Sequence, residues 1–498
     1  MDRRQFTVAL LAAPWLSGCG RDAADANATV LRFGVANAPR NLDPRLATDA
    51  TSERLNRLLY AALVDFDAAS RPAPGIATWE QTGPTEYRFL LDAERRRFSD
   101  GTALTSADVA ATYGSILDPD TASPHQALLS ILEHIEPLDD DRLAFHLREP
   151  DPLFPSYLGI GILPARLILA GHGFQREPVG SGPFGFERWP EPGKVGLVRR
   201  RDGQRFEFVT VKDPNVRVMK LLRGEIDLLQ NDLPPELVGF LSRQAGIQVE
   251  RADGSNFSYL GFNLEDAATG DLRVRQAVAQ GIDRGAILHY LFRGAGRAAE
   301  AMFPPEHWAG APMLPTHSYD PARARALLAA AGYHGANPLR LSYKTSSDPF
   351  RLRLATVIQA QLADIGIDLA IQSYDWGTFF GDIKAGRFQL YGLTWVGIRT
   401  PDIFRYVFHS ASMPPDGANR GRYRNAAADS LIEQARGEGN PRRQAALYRA
   451  LQQLLHAELP YVPLWYEDQI FAARDDIDGY RLAADGNYDA LSGVTRPA

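Results

Sequence analysis

The chain has 498 residues, 45% hydrophobic and 23% charged, with a formal net charge of −6. That length exceeds one ordinary core and predicts two or three lobes. The composition excludes a disordered or membrane-embedded protein, and the dispersed basic residues exclude an electrostatic footprint for nucleic acid.

The N-terminus reads Asp2-Arg3-Arg4-Gln5-Phe6, an apolar run from Thr7 to Trp15, then Leu16-Ser17-Gly18-Cys19. A basic start, a short apolar middle and small residues before a cut describe a secretory signal over residues 1–18. The run is shorter than the roughly 20 residues a spanning helix needs. Leu16 to Cys19 resembles the bacterial lipobox, which makes Cys19 the expected lipidation site and residues 19–29 a polar tether. Acyl chains contribute about 0.8 kcal/mol per buried methylene, enough for two or three of them to anchor a protein to a membrane. Arg3-Arg4 also resembles a twin-arginine export motif, although Thr7 stands at its hydrophobic position, so either export route is open. The mature protein is expected outside the cytoplasm (periplasm or cell surface), and Cys19, the one cysteine of the sequence, leaves it no internal disulfide.

Val30 to Ala36 alternates as a first strand, and Ser52 to Leu63 carries a leucine stripe at helical spacing. Strands follow around 77–81 and 87–91, then a turn at Phe98–Gly101. Thr105-x-x-Asp108 reads as a capping box opening a helix to Leu117. Leu143 to Leu147 is another strand. Residues 150–190 are rich in Pro and Gly and read as a connector rather than core. Phe206–Val211, a helix capped at Asp213-Pro214, and Ile226–Leu229 form a strand–helix–strand unit, which predicts parallel strands. Phe257–Asn263 is a strand carrying aromatics. Helices begin at Asp271, Asp283 and Asp320-Pro321. Leu339–Lys344, a helix from Asp348-Pro349, Ile367–Ile371, a helix from Asp375, and Phe388–Trp395 make a β-α-β-α-β run. Asn440-Pro441 starts a long amphipathic helix stopped by Pro460, and Tyr461–Tyr466 is a strand. The lobes must therefore interleave.

The run ending at Trp395 predicts a strand of a mostly parallel sheet, buried on both faces, whose carboxyl end bears Trp395, Gly397, Arg399 and Asp402. Ligands collect outside such strand ends. No catalytic signature is present: there is no Gly-x-Ser-x-Gly, His-Glu-x-x-His, P-loop or Cys-x-x-Cys. Gly294-Ala-Gly296-Arg-Ala-Ala299 imitates a dinucleotide fingerprint but follows a helix instead of a strand, so its glycines read as helix stops. His125, His134 and His146 lie well apart in the chain and read as ordinary residues, and no metal or cofactor is expected.

Several blocks in this order line up with one family. They are Phe89-Leu-Leu-Asp92, Phe98-Ser-Asp-Gly-Thr-Ala-Leu-Thr-Ser-Ala-Asp-Val109, Val179-Gly-Ser-Gly-Pro-Phe-Gly-Phe186, Gly224-Glu-Ile-Asp227, Tyr259-Leu-Gly-Phe-Asn263, Val274-Arg-Gln-Ala277 and Pro460-Tyr-Val-Pro-Leu464. From about Leu31 to Tyr480 the chain resembles the extracytoplasmic solute-binding proteins of ABC importers for oligopeptides, dipeptides and nickel chelates. The resemblance implies an α/β fold of the periplasmic-binding-protein type II class, with two hinged lobes and an extra domain inserted in the first. Lobe I would comprise 30–55, 177–258 and 468–498, the insert 56–176, and lobe II 259–467.

The implied function is capture of a peptide-like or other small polar solute by lobe closure and delivery to the importer's membrane permease subunits, by a monomeric, lipid-anchored protein with no enzymatic activity. An envelope hydrolase acting in the cleft, and a sensory or docking protein that keeps the fold without transport, are the alternatives. Trp395 is a candidate stacking platform, Gly397 a point of close backbone approach, and Arg399 or Asp402 charge partners. Asn37, Tyr259, Asn263 and Tyr466 are further ligand candidates. In peptide-binding members an aspartate stands three residues after the tryptophan and pairs with the peptide amine; here Ile398 occupies that position. Either Asp402 substitutes, or the ligand lacks a free amino terminus, or Arg399 and Arg405 meet an anion.

Overall fold

The computed structural model describes residues 30–497 apart from positions 95 and 192. The signal, Cys19 and the tether lie outside the described residues. Among the described residues no helix is long and apolar enough to cross a membrane.

Eleven strands form one sheet that runs through both halves of the molecule. Its order is Ile367–Tyr374, Leu339–Ser346, Leu390–Trp395, Ile247–Phe262, Tyr461–Arg474, Leu228–Gln230, Val30–Val35, Arg205–Thr210, Lys194–Arg199 and Phe184–Glu191, with Gly296–Ala298 paired beside Tyr461–Arg474. Leu339–Ser346 pairs parallel with both Ile367–Tyr374 and Leu390–Trp395, as the β-α-β-α-β run requires. Arg205–Thr210 and Leu228–Gln230 are parallel too, but they do not touch each other. The first strand, Val30–Val35, enters between them. A second sheet of four antiparallel strands, Ala77–Gly83, Glu86–Leu91, Arg142–Leu147 and Leu132–Pro137, stands apart from the large one.

The aspartate and asparagine helix starts act as caps. The side chains of Asp213, Asp271, Asp320, Asp348, Asp375 and Asn440 each accept a first-turn N–H. These bonds satisfy donors that the helix itself leaves open. At the expected capping box the Thr105 N–H donates to Asp108 Oδ2 at 2.7 Å.

Three expectations fail. The sheet is mixed rather than mostly parallel, because long returning strands such as Ile247–Phe262 pair antiparallel with Leu390–Trp395 and Tyr461–Arg474. The Pro150–Pro190 stretch is not a bare connector: Leu153, Phe154, Leu158, Ile162, Leu163 and Phe174 are buried in the core. Short pieces such as Phe154–Tyr157 and Ala165–Leu169 bury these side chains without helical or strand periodicity, which hides them from a pattern search. The strand leading to Trp395 is sealed only at its start. Leu390 and Tyr391 are buried, whereas Gly392 to Trp395 are partly open.

The two longest strands join the halves. Ile247–Phe262 runs antiparallel to Tyr461–Arg474 along almost its whole length. Ile247–Ala252 pairs opposite Gln469–Arg474, and Asn256–Gly261 opposite Tyr461–Glu467, with the register broken between Ala252 and Asn256. That break is a bulge, a device that bends and twists a strand pair. Gly254 sits in it, where an added Cβ would lie 2.0 Å from the Glu467 carbonyl oxygen. Gly254→Val is therefore expected to cost on the order of 2–3 kcal/mol in urea unfolding; an unchanged midpoint would show that the bulge tolerates a side chain.

Candidate ligand-binding cleft

A cavity of about 1360 Å³ opens where the halves face each other. The helix Ala50–Leu59 contributes Glu53, Arg54 and Arg57; the loop after Trp395 contributes Val396, Gly397 and Arg399; the C-terminal segment contributes Asp485, Asn487 and Asp489. Pocket-lining residues Arg97, Arg200 and Arg201 add cations.

Most of these charges are already paired. Arg57 reaches both Asp65 and Asp489. Arg399 pairs closely with Asp485, linking the loop after Trp395 to the C-terminal segment, and its guanidinium lies over Phe66 at 5.4 Å. Burial would raise the Asp485 carboxyl, but Arg399, the Asn487 N–H and Arg57 together hold it below the usual range. The His307 ring is 2.9 Å from the Arg399 carbonyl oxygen, so the loop is held at its backbone as well. Gly397 adopts φ +71° at the exposed tip, a left-handed conformation that other residues enter at a cost.

Glu53 differs. It is exposed to the cavity in the first turn of its helix, and no cation stands within ion-pair distance among the described residues. Burial by the cavity walls and the neighbouring Asp49 push its carboxyl up, against the weaker pull of Arg399 and Arg54. Arg54 beside it lies over the Tyr488 ring at 5.3 Å, also with no carboxylate in contact. A carboxylate and a guanidinium, each without an ion-pair contact among the described residues, face the same space. Neither was legible in the sequence, where they are two polar positions of an amphipathic helix.

The sequence candidates separate into three groups. Gly397 and Arg399 line the cavity. Trp395 is half-buried under Arg420, whose guanidinium sits 4.9 Å above its ring. Tyr259, Asn263 and Tyr466 are placed in structural roles. Tyr259 is buried and stacked on Tyr461 at 4.0 Å. The Asn263 amide donates to the Gly386 and Phe388 carbonyls. The Tyr466 hydroxyl donates to the Ala301 and Phe303 carbonyls. Asn37 is exposed and not on the cavity wall, and Arg405 points to Glu433 at 3.5 Å. Ile398 packs on the apolar cluster with Leu393 and Ile403, outside the cavity lining.

Asp402 also turns away from the cavity. It faces a buried cluster of Asp151, Tyr157 and Arg436, where burial raises its carboxyl against the pull of Arg436 and Arg405. In the same cluster Asp151 is fully buried, with the Arg436 guanidinium 3.5 Å away. Burial raises Asp151 to about 6, opposed by the Leu153 N–H, Arg436 and the Tyr157 hydroxyl.

The two α/β halves, the antiparallel crossing strands and the charged cavity between them define a two-lobed binding protein of the periplasmic type II class. The family model for bacterial extracellular solute-binding proteins, family 5 (middle), matches residues 42–414, and the chain belongs to that family. It is 28% identical over 508 aligned residues to di/tripeptide-binding protein 2 of Pseudomonas aeruginosa, covering 91% of this chain and 95% of the relative. It is 27% identical to heme-binding protein A of Haemophilus influenzae, covering 93% and 91%. Among solved structures it superposes on the binding protein DppA of Helicobacter pylori in complex with the peptide STSA. The TM-score is 0.78 at 25% identity, covering 94% of this chain and 98% of that one. NikZ of Campylobacter jejuni, in complex with Ni(L-His), gives 0.81 at 22% identity, covering 94% and 99%. Family 5 proteins are extracytoplasmic partners of ABC importers, and that is the class of this chain.

The Asp151 carboxyl gives a pH signature. Its unfolded value is near 3.9, so the folded state holds its proton more tightly than the unfolded chain. The group costs nothing below about pH 4, and its penalty grows as pH rises and is complete above about pH 6. Asp151→Asn is expected to flatten that part of the stability profile by on the order of 3 kcal/mol. Denaturant titrations from pH 4 to 7 that give parallel curves for both proteins would refute the assignment.

Proposed function

We propose that the protein captures a small zwitterionic, peptide-like solute between its lobes and hands it to the permease subunits of an ABC importer. It does so as a monomer without chemical turnover, tethered to a membrane through a lipid on Cys19. The lobes are those expected from the sequence: 30–55, 177–258 and 468–498 for the first, 259–467 for the second, and 56–176 as the insert. The crossing strands form the hinge at the Gly254 bulge.

The observation that carries the reading is the pair of unmatched charges, Glu53 and Arg54, on one wall of a cavity large enough for a short peptide with water. A carboxylate raised by burial and lacking a cation is relieved when an ammonium docks against it. The amine partner thus moves from the position of Ile398 to the opposite lobe. That placement reconciles an apolar residue at 398 with relatives named for di- and tripeptides. The ligand carboxylate meets Arg54, and Arg399 with Asp485 latches the closed form, which a ligand favours only through contacts made to both lobes. Gly397 lets the loop backbone approach the ligand, and Trp395, braced by Arg420, supports that loop from behind.

The test begins with mass spectrometry of whatever the protein releases on denaturation, followed by titration of that molecule. Saturating ligand at a hundredfold excess over Kd stabilises the fold by about 2.7 kcal/mol. Glu53→Gln should weaken binding by roughly tenfold to a hundredfold, the worth of a charge-assisted hydrogen bond. It should not change affinity for the same ligand with its amine acetylated. Equal affinity of variant and parent for the free amine would remove Glu53 from the site, and product formation from a bound peptide would replace transport with hydrolysis.

A further inference from the structure

We propose a divalent-cation site, separate from the cleft, on the outer face of the four-stranded sheet, formed by His134, Glu136 and His146. The ligands suit a borderline transition-metal ion, Zn²⁺ or Ni²⁺, because imidazole nitrogen and one carboxylate oxygen are the donor set such ions take.

Strand geometry assembles the site. Leu143, Phe145 and Leu147 are buried on the inner face of Arg142–Leu147, so His146 projects from the opposite one. His134 is directly opposite His146 across the antiparallel pair, and Glu136 lies two residues further along on the same face. Histidines twelve positions apart in the chain are thereby stacked, with ring centroids 4.1 Å apart and planes 9° from parallel. His146 Nε2 is 3.3 Å from Glu136 Oε2. One ligand atom from each of the three residues lies within 4.8 Å of the other two. A tetrahedral ion with bonds near 2.1 Å needs ligand atoms roughly 3.4 Å apart and lying with the ion in both ring planes, so binding turns the two exposed-face rings out of their stack about their side-chain torsions. The strands fix the backbone, and a fourth position stays open to water.

The alternatives on the same molecule are weaker. Glu86 flanks His146 on its other side but already accepts from Arg88 at 2.8 Å. Glu300, His317 and His456 form a second cluster of similar span, but Glu300 holds the buried Arg284 at 2.8 Å and also accepts from His317. A cation there would meet the guanidinium. Glu136 has no such competitor: His146 is its one ion-pair partner among the described residues. None of the three proposed ligands lines the cleft cavity.

The test is calorimetric titration of the full mature protein with Zn²⁺ and with Ni²⁺, for the parent and for His134→Asn, His146→Asn and the double variant. The parent should bind one equivalent in the micromolar range or tighter. Each single variant should lose more affinity than the ~10–100-fold that removal of an outer-shell partner costs, and the double variant should lose that equivalent. The metal should raise the melting temperature of the parent and leave that of the double variant unmoved, because only a folded site gains from binding. His134 is exposed and His146 lies on the outer face of the sheet, so these substitutions leave the core intact and unfolding of the metal-free variants should match the parent. Absence of micromolar binding by the parent, or an equivalent retained undiminished in the double variant, overturns the site.

Discussion

The pairing of Ile247–Phe262 with Tyr461–Arg474 is the constraint on which the rest of the molecule depends. Two strands hydrogen-bonded along their length carry the sheet from one half into the other. They bring Leu228–Gln230 to one end and Leu390–Trp395 to the other. The bulge at Gly254 lets the two ends take different directions without losing the ladder. At the same crossing, Glu467 accepts from Ser258 at 2.8 Å and from Arg351 at 3.0 Å. Burial would raise its carboxyl, yet Arg351 and these hydrogen bonds hold it below the usual range. A polar knot at a joint is satisfied only when the strands and the Pro349–Asp364 helix are all in place, which ties the crossing to that helix.

The charged side chains of the cleft fall into two groups. Arg57 and Arg399 spend their charge on Asp65, Asp489 and Asp485, closing protein to protein. Glu53 and Arg54 line the same cavity without an ion-pair contact among the described residues. Asp402, which the sequence places beside the cavity loop, belongs instead to a buried cluster with Asp151 and Arg436. There it faces the chain near residue 151.

Much of the architecture was legible because it is written in local chemistry. The Asp-Pro pairs at 213, 320 and 348 and the Asn-Pro pair at 440 cap helices, and the β-α-β-α-β run through Leu339, Ile367 and Leu390 announces its parallel pairing by periodicity and short crossovers. The insertion of Val30–Val35 between Arg205–Thr210 and Leu228–Gln230 was not legible, because nothing local distinguishes a neighbour from a strand one place further away. The full length of Ile247–Phe262 was hidden by Asp253-Gly254-Ser255, a turn-like triplet that is a bulge. Pro150–Pro190 escaped for a related reason: its buried residues follow the shape of the surface they cover and no regular period.

The sequence by itself determined the class of protein, the helix caps, the parallel half of the sheet and the loop after Trp395 that enters the cleft. Each follows from residues close in the chain or from an ordered set of motifs. Tertiary structure alone decided which side chains face the cavity. It turned Tyr259, Asn263 and Tyr466 into the core and its hydrogen bonds, left Gly397 and Arg399 at the wall, brought in Glu53 from a helix far away in sequence, and set His134 against His146. A side chain's direction depends on pairing register and packing between distant segments, and those are settled only when the whole sheet is assembled.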